Sequence, residues 1–316
     1  MSVLSKPYMH DEAEAFKHVE SIIWTDGPVC PHCGVVDRAY RLEGVRTKPS
    51  KKNPEGVERH GLWKCRDCRK QFTVRKNTIF EDSHIPMHKW LQAIHLMVSS
   101  KKGISSHQLH RVLEITHKSA WFMSHRIREA MRSDTSVDFG AGGGDVEIDE
   151  TFIGVDKDAN TDVKSRNWVQ RNKLLTLVDR NTGKARSMVI DDLKVSTIAP
   201  IVAENVAREA RILTDEAPRY KGFAKAYAGH EAVNHGAGEY GRGDVHTNTI
   251  EGYFSIFKRG MKGVYQHCAK KHLHRYAAEF EFRYNNRAAL EVDDVERFRR
   301  VLDATLGKRL TYSGPY

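Results

Sequence analysis

The 316-residue chain is expected to fold as an α/β protein, a mixed sheet with flanking helices, preceded by a small cysteine-stapled ribbon and a helical segment. Three observations point there. Residues 146–153 alternate apolar and polar side chains, as a half-buried strand does. Two further strand-like runs, 173–179 and 185–190, flank a polar turn with Gly183 near its middle, which reads as a hairpin. A helical pattern over about 195–209 then precedes the short apolar run 211–215. Three strands, a helix, a strand and then helices make a mixed α/β sheet.

Bulk composition narrows the classes. Lys and Arg number 51 against 41 Asp and Glu, a formal net charge of +10, which favours a polyanionic partner. No run of about 18 apolar residues appears, and the first residues lack the apolar core of a signal peptide. A soluble, cytoplasmic protein is expected. Five cysteines are an odd number for a secreted disulfide scaffold. Cys268 stands alone and receives no chemistry.

The other four cysteines form two CxxC pairs, Cys30 with Cys33 and Cys65 with Cys68. Each such turn presents two thiolates on one side, and two turns brought together complete a tetrahedral Cys₄ site for Zn²⁺. Redox-active thiols are disfavoured, because thioredoxin-like sites do not come as paired knuckles. All four positions are filled by protein, so the metal is structural, and His32 and His60 are expected to face solvent. Residues 62–64 and 71–74 read as short strands, and 48–56 as a polar loop. Around the second knuckle Arg59, Lys64, Arg66, Arg69, Lys70, Arg75 and Lys76 make a basic face. Lys64, Arg66, Arg69 and Lys70 are the chosen phosphate contacts, against the alternative of a merely solvated surface.

From 86 to about 132 the pattern turns helical. Trp90, Ile94 and Met97 repeat at helical spacing, widened by Leu91 and Val98. Lys101-Lys102-Gly103 breaks the run, and Ser105 or Ser106 starts a second helix carrying Leu109, Val112 and Leu113. A third follows over 117–128. Two helices across a short turn, the second rich in Lys, Ser, His and Arg, suit a recognition helix in the DNA major groove. Lys118, Ser119, Ser124, His125, Arg126 and Arg128 are its candidate contacts, although small bundles of other purpose share the pattern. The glycine-rich stretch 138–144 is a linker.

Three acids dominate the second half. Asp149 lies in the first strand, Asp215 ends the 211–215 strand, and Glu251 sits in the first turn of a helix that begins near residue 251. Acids on separate strands and a nearby helix can converge to bind two Mg²⁺ ions. Glu147 shares the strand face of Asp149, whereas Glu150 points to the other. Lys258 follows Glu251 by about two helical turns and so shares its face. Asn248, one turn earlier, either caps that helix or is itself a ligand. His230, His235 and His246 cluster before the third acid and are secondary candidates. Tyr276, Phe280 and Tyr284 read as core, with Arg275, Arg283 and Arg287 as candidate phosphate contacts.

Zinc ribbon, helix-turn-helix, the Ile-Asp-Glu-Thr-Phe-Ile-Gly strand at 148–154, Leu-Thr-Asp-Glu at 213–216 and His-Thr-Asn-Thr-Ile-Glu at 246–251 occur in this order. That order resembles the DDE transposases of bacterial insertion sequences, more narrowly the ISXO-like group. The resemblance covers residues 10–290 and implies a ribonuclease-H-like catalytic domain that hydrolyses a phosphodiester and transfers the freed 3′-OH to target DNA. It matches Asp149 and Asp215 to the first two metal-binding aspartates, Glu251 to the third acid and Lys258 to the basic residue near the substrate phosphate. Some members use an asparagine as the third ligand, which keeps Asn248 in contention. Structural Zn²⁺, catalytic Mg²⁺ or Mn²⁺, double-stranded DNA, a homodimer or higher oligomer and a nucleoid-associated location follow as expectations. The division expected is 1–80, ribbon with an N-terminal helix; 81–135, helix-turn-helix-like; 145–290, catalytic; and 291–316, a C-terminal helix. Rival readings are a non-cutting zinc-ribbon regulator and a nuclease or resolvase of related fold.

Overall fold

The computed structural model describes residues 3–51, 53–133, 138–155, 171–239 and 241–311. They gather into two compact units. Met1–Ser100, Ile104–Met131 and Asp293–Tyr316 make the first, and Lys101–Gly103 with Arg132–Val292 the second. No helix among the described residues is long and apolar enough to cross a membrane.

In the first unit, α1 (Glu12–Ile23) is N-capped by Asp11, whose carboxylate accepts from the Glu14 amide at 2.8 Å. The ribbon is a three-stranded antiparallel sheet, β1 (Ala39–Arg41), β2 (Trp63–Cys65) and β3 (Gln71–Phe72), in that order. β1 has no counterpart in the sequence reading, since three residues carry no periodicity. The polar loop between the knuckles is a short antiparallel arm: the Thr47 amide donates to Val57 O and the Arg59 amide to Val45 O.

Three helices follow, α2 (Met87–Ser99), α3 (Ser106–Leu113) and α4 (His117–Met131). The N-cap of α2 is Pro86, which offers no side-chain acceptor. Glu12 of α1 supplies one instead, accepting from the Met87 and His88 amides at 2.8 and 3.2 Å. Ser105 caps α3 as expected. Leu109 and Leu113 are buried, but Val112 is 56% exposed and does not join the core. Glu114, in the left-handed region at φ 50°, ends α3 and turns the chain toward α4. The last helix, Asp294–Asp303, packs against α1, α2 and α4.

The second unit is built on a five-stranded sheet. Its strands are β4 (Asp145–Ile153), β5 (Asn172–Asp179), β6 (Ala185–Ile190), β7 (Arg211–Asp215) and β8 (Gly229–Val233), in the order β6-β5-β4-β7-β8. β4, β5 and β6 are antiparallel neighbours, while β7 and β8 run parallel to β4. This is the ribonuclease-H-like sheet. β8 escaped the sequence reading because Gly-His-Glu-Ala-Val is a short edge strand without alternation.

Helix α5 (Val195–Asn205) covers one face, over Val146, Ile148, Leu175, Leu177 and Ile190. It ends four residues before the expected 209. Val206 is extended instead and bridges Phe139 in parallel, with the Phe139 amide donating to Asn205 O. Helices α6 (Asn248–Gly260) and α7 (Lys270–Asn285) cover the other face, over Ile153, Leu174, Val178 and Ala185. Every residue of β5 is buried, as expected of a strand sandwiched between helical layers. Tyr276 and Phe280 are core. Arg283 is buried and paired with Glu279, so it is no phosphate contact.

Candidate functional site

The metal centre of the first unit is local in origin. The Sγ atoms of Cys30 and Cys68 lie 3.6 Å apart, and those of Cys33 and Cys65 3.7 Å. A tetrahedron with Zn–S bonds of about 2.3 Å has edges of about 3.8 Å. The donor set therefore fits Zn²⁺. Among the described residues these four are the one group of three or more His, Cys, Asp or Glu side chains with ligating atoms all within 4.8 Å. Backbone N–H groups, first that of Cys68, hold the Cys65 thiol down to about 7, while burial and the neighbouring thiols push Cys33 up to about 12, as crowded thiols do with no cation between them. Trp24 packs edge-on against Trp63 and Phe72 beneath the site. His32 is exposed and meets Gln71 O at 3.3 Å, outside the cluster.

Of the ribbon cations, Arg66, Arg69 and Lys70 are exposed and Lys64 is half-buried. Arg75 is not part of that surface: its guanidinium donates to Ser83 O and Ile85 O and pairs with Glu12. On α4 the expected contacts divide. Lys118 is exposed and Ser119 half-buried. Ser124, His125, Arg126 and Arg128 are buried, which contradicts their assignment as DNA contacts. Arg126 donates to Ile79 O, Glu81 O and Leu310 O, and Arg128 to Ser124 Oγ. These guanidiniums satisfy buried carbonyls and a hydroxyl, a role that composition cannot tell from a DNA-reading face.

In the second unit β4 and β7 pair in parallel, Asp145 with Arg211 through Glu147 with Leu213. Continuing that register by two residues brings Asp215 level with Asp149 on the adjacent strand, both on the face that α6 covers. The Asp149 carboxyl is pushed up to about 7, first by burial and then by the charges of Glu150 and Asp215, while Lys258 opposes the rise. Asp215 and Lys258 are thus both near enough to act on Asp149 electrostatically. Asp149 accepts from the Glu150 amide at 2.7 Å, and Asp215 from the Ala217 amide at 3.0 Å.

Glu251, in the first turn of α6, is exposed and accepts from Thr247 Oγ1 at 3.2 Å. The carboxylates do not reach the closeness of the cysteines, but their all-oxygen donor set and mutual repulsion fit a hard divalent cation. Asn248 is the first residue of α6, and Thr247 rather than Asn248 holds the N-cap position, so the capping role falls away. Glu150 turns to the opposite face, 3.0 Å from Arg219, as the strand alternation requires.

Glu147 does not project among the acids. It is fully buried, taking Arg180 Nε at 2.6 Å and the Ile250 amide at 2.8 Å. The histidines are engaged as well. His230 meets Thr214 Oγ1 at 3.0 Å, and burial lowers its pKa. His235 lies 3.8 Å from Glu251 Oε1. His246 Nδ1 lies 2.7 Å from Arg180 Nη2, 3.4 Å from the Asn248 amide and 3.6 Å from Glu147 Oε1. Sequence reasoning missed Arg180 and Glu216. Both lie in turns, and only long-range pairing shows what they hold.

Residues 142–285 match the family described as ISXO2-like transposase domain, and residues 10–71 the one described as transposase zinc-ribbon domain. A Halobacterium salinarum protein described as "Uncharacterized protein in transposable element ISH50" is 24% identical over 314 residues, covering 93% of this chain and 97% of that one. A chain in a simian T-cell lymphotropic virus intasome bound to PP2A regulatory subunit B56 gamma aligns over 55% of this chain and 63% of its own. It is 12% identical with a TM-score of 0.28, too slight a likeness to bear on the fold. Through its zinc ribbon and its catalytic sheet alike, the chain resembles the DDE transposases of the ISXO-like insertion sequences.

Proposed function

We propose that the chain is the transposase of a bacterial insertion sequence, binding the element's terminal repeats in nucleoid DNA and cutting and rejoining strands there. The placement of Asp149 and Asp215 level with each other on adjacent parallel strands carries this reading, because two carboxyl groups that repel across neighbouring strands favour a cation between them. Asp149, Asp215 and Glu251 would hold two Mg²⁺ or Mn²⁺ ions, with Asn248 the alternative to Glu251. Such a pair, when bound, supplies activation of the attacking water or 3′-OH and neutralises charge on the leaving oxygen. Lys258 faces the substrate phosphate from α6. Lys64, Arg66, Arg69 and Lys70 of the ribbon, and Lys118 and Ser119 of α4, contact the DNA backbone and bases. Two element ends must be processed together, which calls for a homodimer or higher oligomer.

The test is cleavage of labelled duplexes carrying the element's terminal repeat, with Mg²⁺ or Mn²⁺, by wild type, Glu251→Gln and Asn248→Ala. Metal-dependent nicking at the repeat end, lost only in Glu251→Gln, is the expected result. The second reading, a regulator that binds without cutting, draws on the acids not closing into a cluster as tight as that of the cysteines among the described residues. Binding without nicking under either metal would put that reading first.

A further inference from the structure

Glu147 sits two residues before Asp149 on the same face of β4, with no solvent exposure. A buried carboxylate is costly unless its oxygens are taken. Here one oxygen takes Arg180 Nε at 2.6 Å and the other the Ile250 amide at 2.8 Å. Ile250 is the third residue of α6, one of the donors that a helix start leaves without an intrahelical partner. Thr247, at the N-cap, makes no side-chain capping bond. The strand carboxylate therefore replaces the cap and sets its charge at the positive end of the helix. The next residue is Glu251.

Arg180 completes the grip on the chain entering α6. Nη1 donates to Asp244 O at 2.6 Å, and Nη2 to His246 O at 2.6 Å and His246 Nδ1 at 2.7 Å. A guanidinium is a rigid planar fork, so these contacts define one orientation of the loop. Glu216, the neighbour of Asp215, holds the loop's far end through the His235 and Gly236 amides at 3.1 and 3.2 Å. Asp149 and Asp215 thus each have a carboxylate one or two residues away along the chain that ties down part of the segment leading to the third acid.

We propose that Glu147 and Arg180 are positioning residues for Glu251, a clamp that sets it against Asp149 and Asp215 for capture of divalent cations. The inference rests on the function proposed above. Asp149 and Asp215 are held by β-ladders and keep their places without the clamp; Glu251 does not. Loss of the clamp therefore weakens metal capture more than it slows the reaction once metal is saturating.

The experiment uses the full chain as wild type, Glu147→Gln, Arg180→Lys, the double variant and Asp149→Asn. Hydrogen exchange over residues 246–254, free Mn²⁺ by EPR without DNA, and cleavage against Mn²⁺ concentration are read in parallel. Each clamp variant is expected to bind Mn²⁺ roughly tenfold more weakly and to need roughly tenfold more for half-maximal cleavage. Its kcat at saturating Mn²⁺ stays within about threefold, exchange at Ile250 speeds up, and the double variant is no worse than either single one. Unchanged Mn²⁺ binding in folded variants, or lost kcat with unchanged Mn²⁺ demand, overturns the clamp. Should Glu147→Gln fail to fold, Arg180→Lys carries the test, since it keeps a cation beside Glu147. Wild type and Asp149→Asn alike in cleavage and Mn²⁺ binding would bring down the proposed function, and the clamp with it. Clamp variants like wild type, beside an inactive Asp149→Asn, remove the clamp alone.

Discussion

The ribbon and the five-stranded sheet each gather side chains of one kind, thiols in the first and carboxyl groups in the second, but by opposite means. Two tight turns bring the four thiolates together, each within a four-residue motif, and a three-stranded sheet is enough to join the turns. The acids come from a central strand, its parallel neighbour and a helix, spread over residues 149–251. Their alignment depends on sheet register and on an ion-pair clamp rather than on spacing. A cluster built from local turns is legible and closed; one built from register is adjustable, because each member sits on a different element.

The largest effect expected from breaking this contrast is at Asp149. Asp149→Ala should lower strand cleavage by at least about 10³-fold while leaving terminal-repeat binding intact, because oxygen ligands serve the reaction and not the docking. Cleavage retained in that variant, in a gel assay with Mn²⁺, would remove the central assignment.

Removing zinc should act on the other region alone. Chelation, or Cys65→Ser, is expected to abolish the cooperative folding of the ribbon and weaken DNA binding about tenfold or more, since structural zinc is folding free energy. Circular dichroism and mobility shift measured together check this. A ribbon unchanged after demetallation would contradict the Cys₄ site.

The acids should also mark stability against pH. The folded Asp149 carboxyl, near 7, lies above the usual value of 3.8. The folded, metal-free protein thus keeps a proton that the unfolded chain releases between pH 4 and 7, and stability falls as pH rises through that window. Asp149→Asn should remove this dependence and stabilise the metal-free protein at pH 8 by up to about 4 kcal/mol. Denaturant titrations at pH 5 and pH 8 that shift equally in wild type and variant would refute it.

The smaller effects separate buried from exposed cations. Arg126→Met should destabilise the first unit by about 2–4 kcal/mol, because three backbone carbonyls lose their donor. Lys118→Ala should leave stability within about 0.5 kcal/mol, yet weaken DNA binding a few-fold and reduce its salt slope by about one. A stable Arg126→Met with lost DNA affinity would reverse the reading of α4.

Much of this was legible from residue order. The Cys₄ motif, the alternating strand at Asp149, the hairpin after it, the Ser105 cap and the helix bearing Glu251 and Lys258 all rest on interactions within a few residues, which sequence patterns encode directly. The misreadings share a different cause. Arg126 and Arg128 read as contacts from sequence because charge normally faces water, whereas here buried carbonyls and a hydroxyl receive them. The β8 edge strand carried no period to detect. Glu147 was placed on its correct face, but its partners, Arg180 and the Ile250 amide, lie 33 and 103 positions away.

Sequence alone therefore determined most of the element types and the four-cysteine cluster, and it singled out the acids as candidates, since local geometry and side-chain chemistry decide these. Only tertiary structure decided which cations stay exposed, that Asp215 stands level with Asp149, and that Glu147 holds the helix of Glu251. Those depend on strand register and burial, where distant residues meet and desolvation sets which charges must be paired.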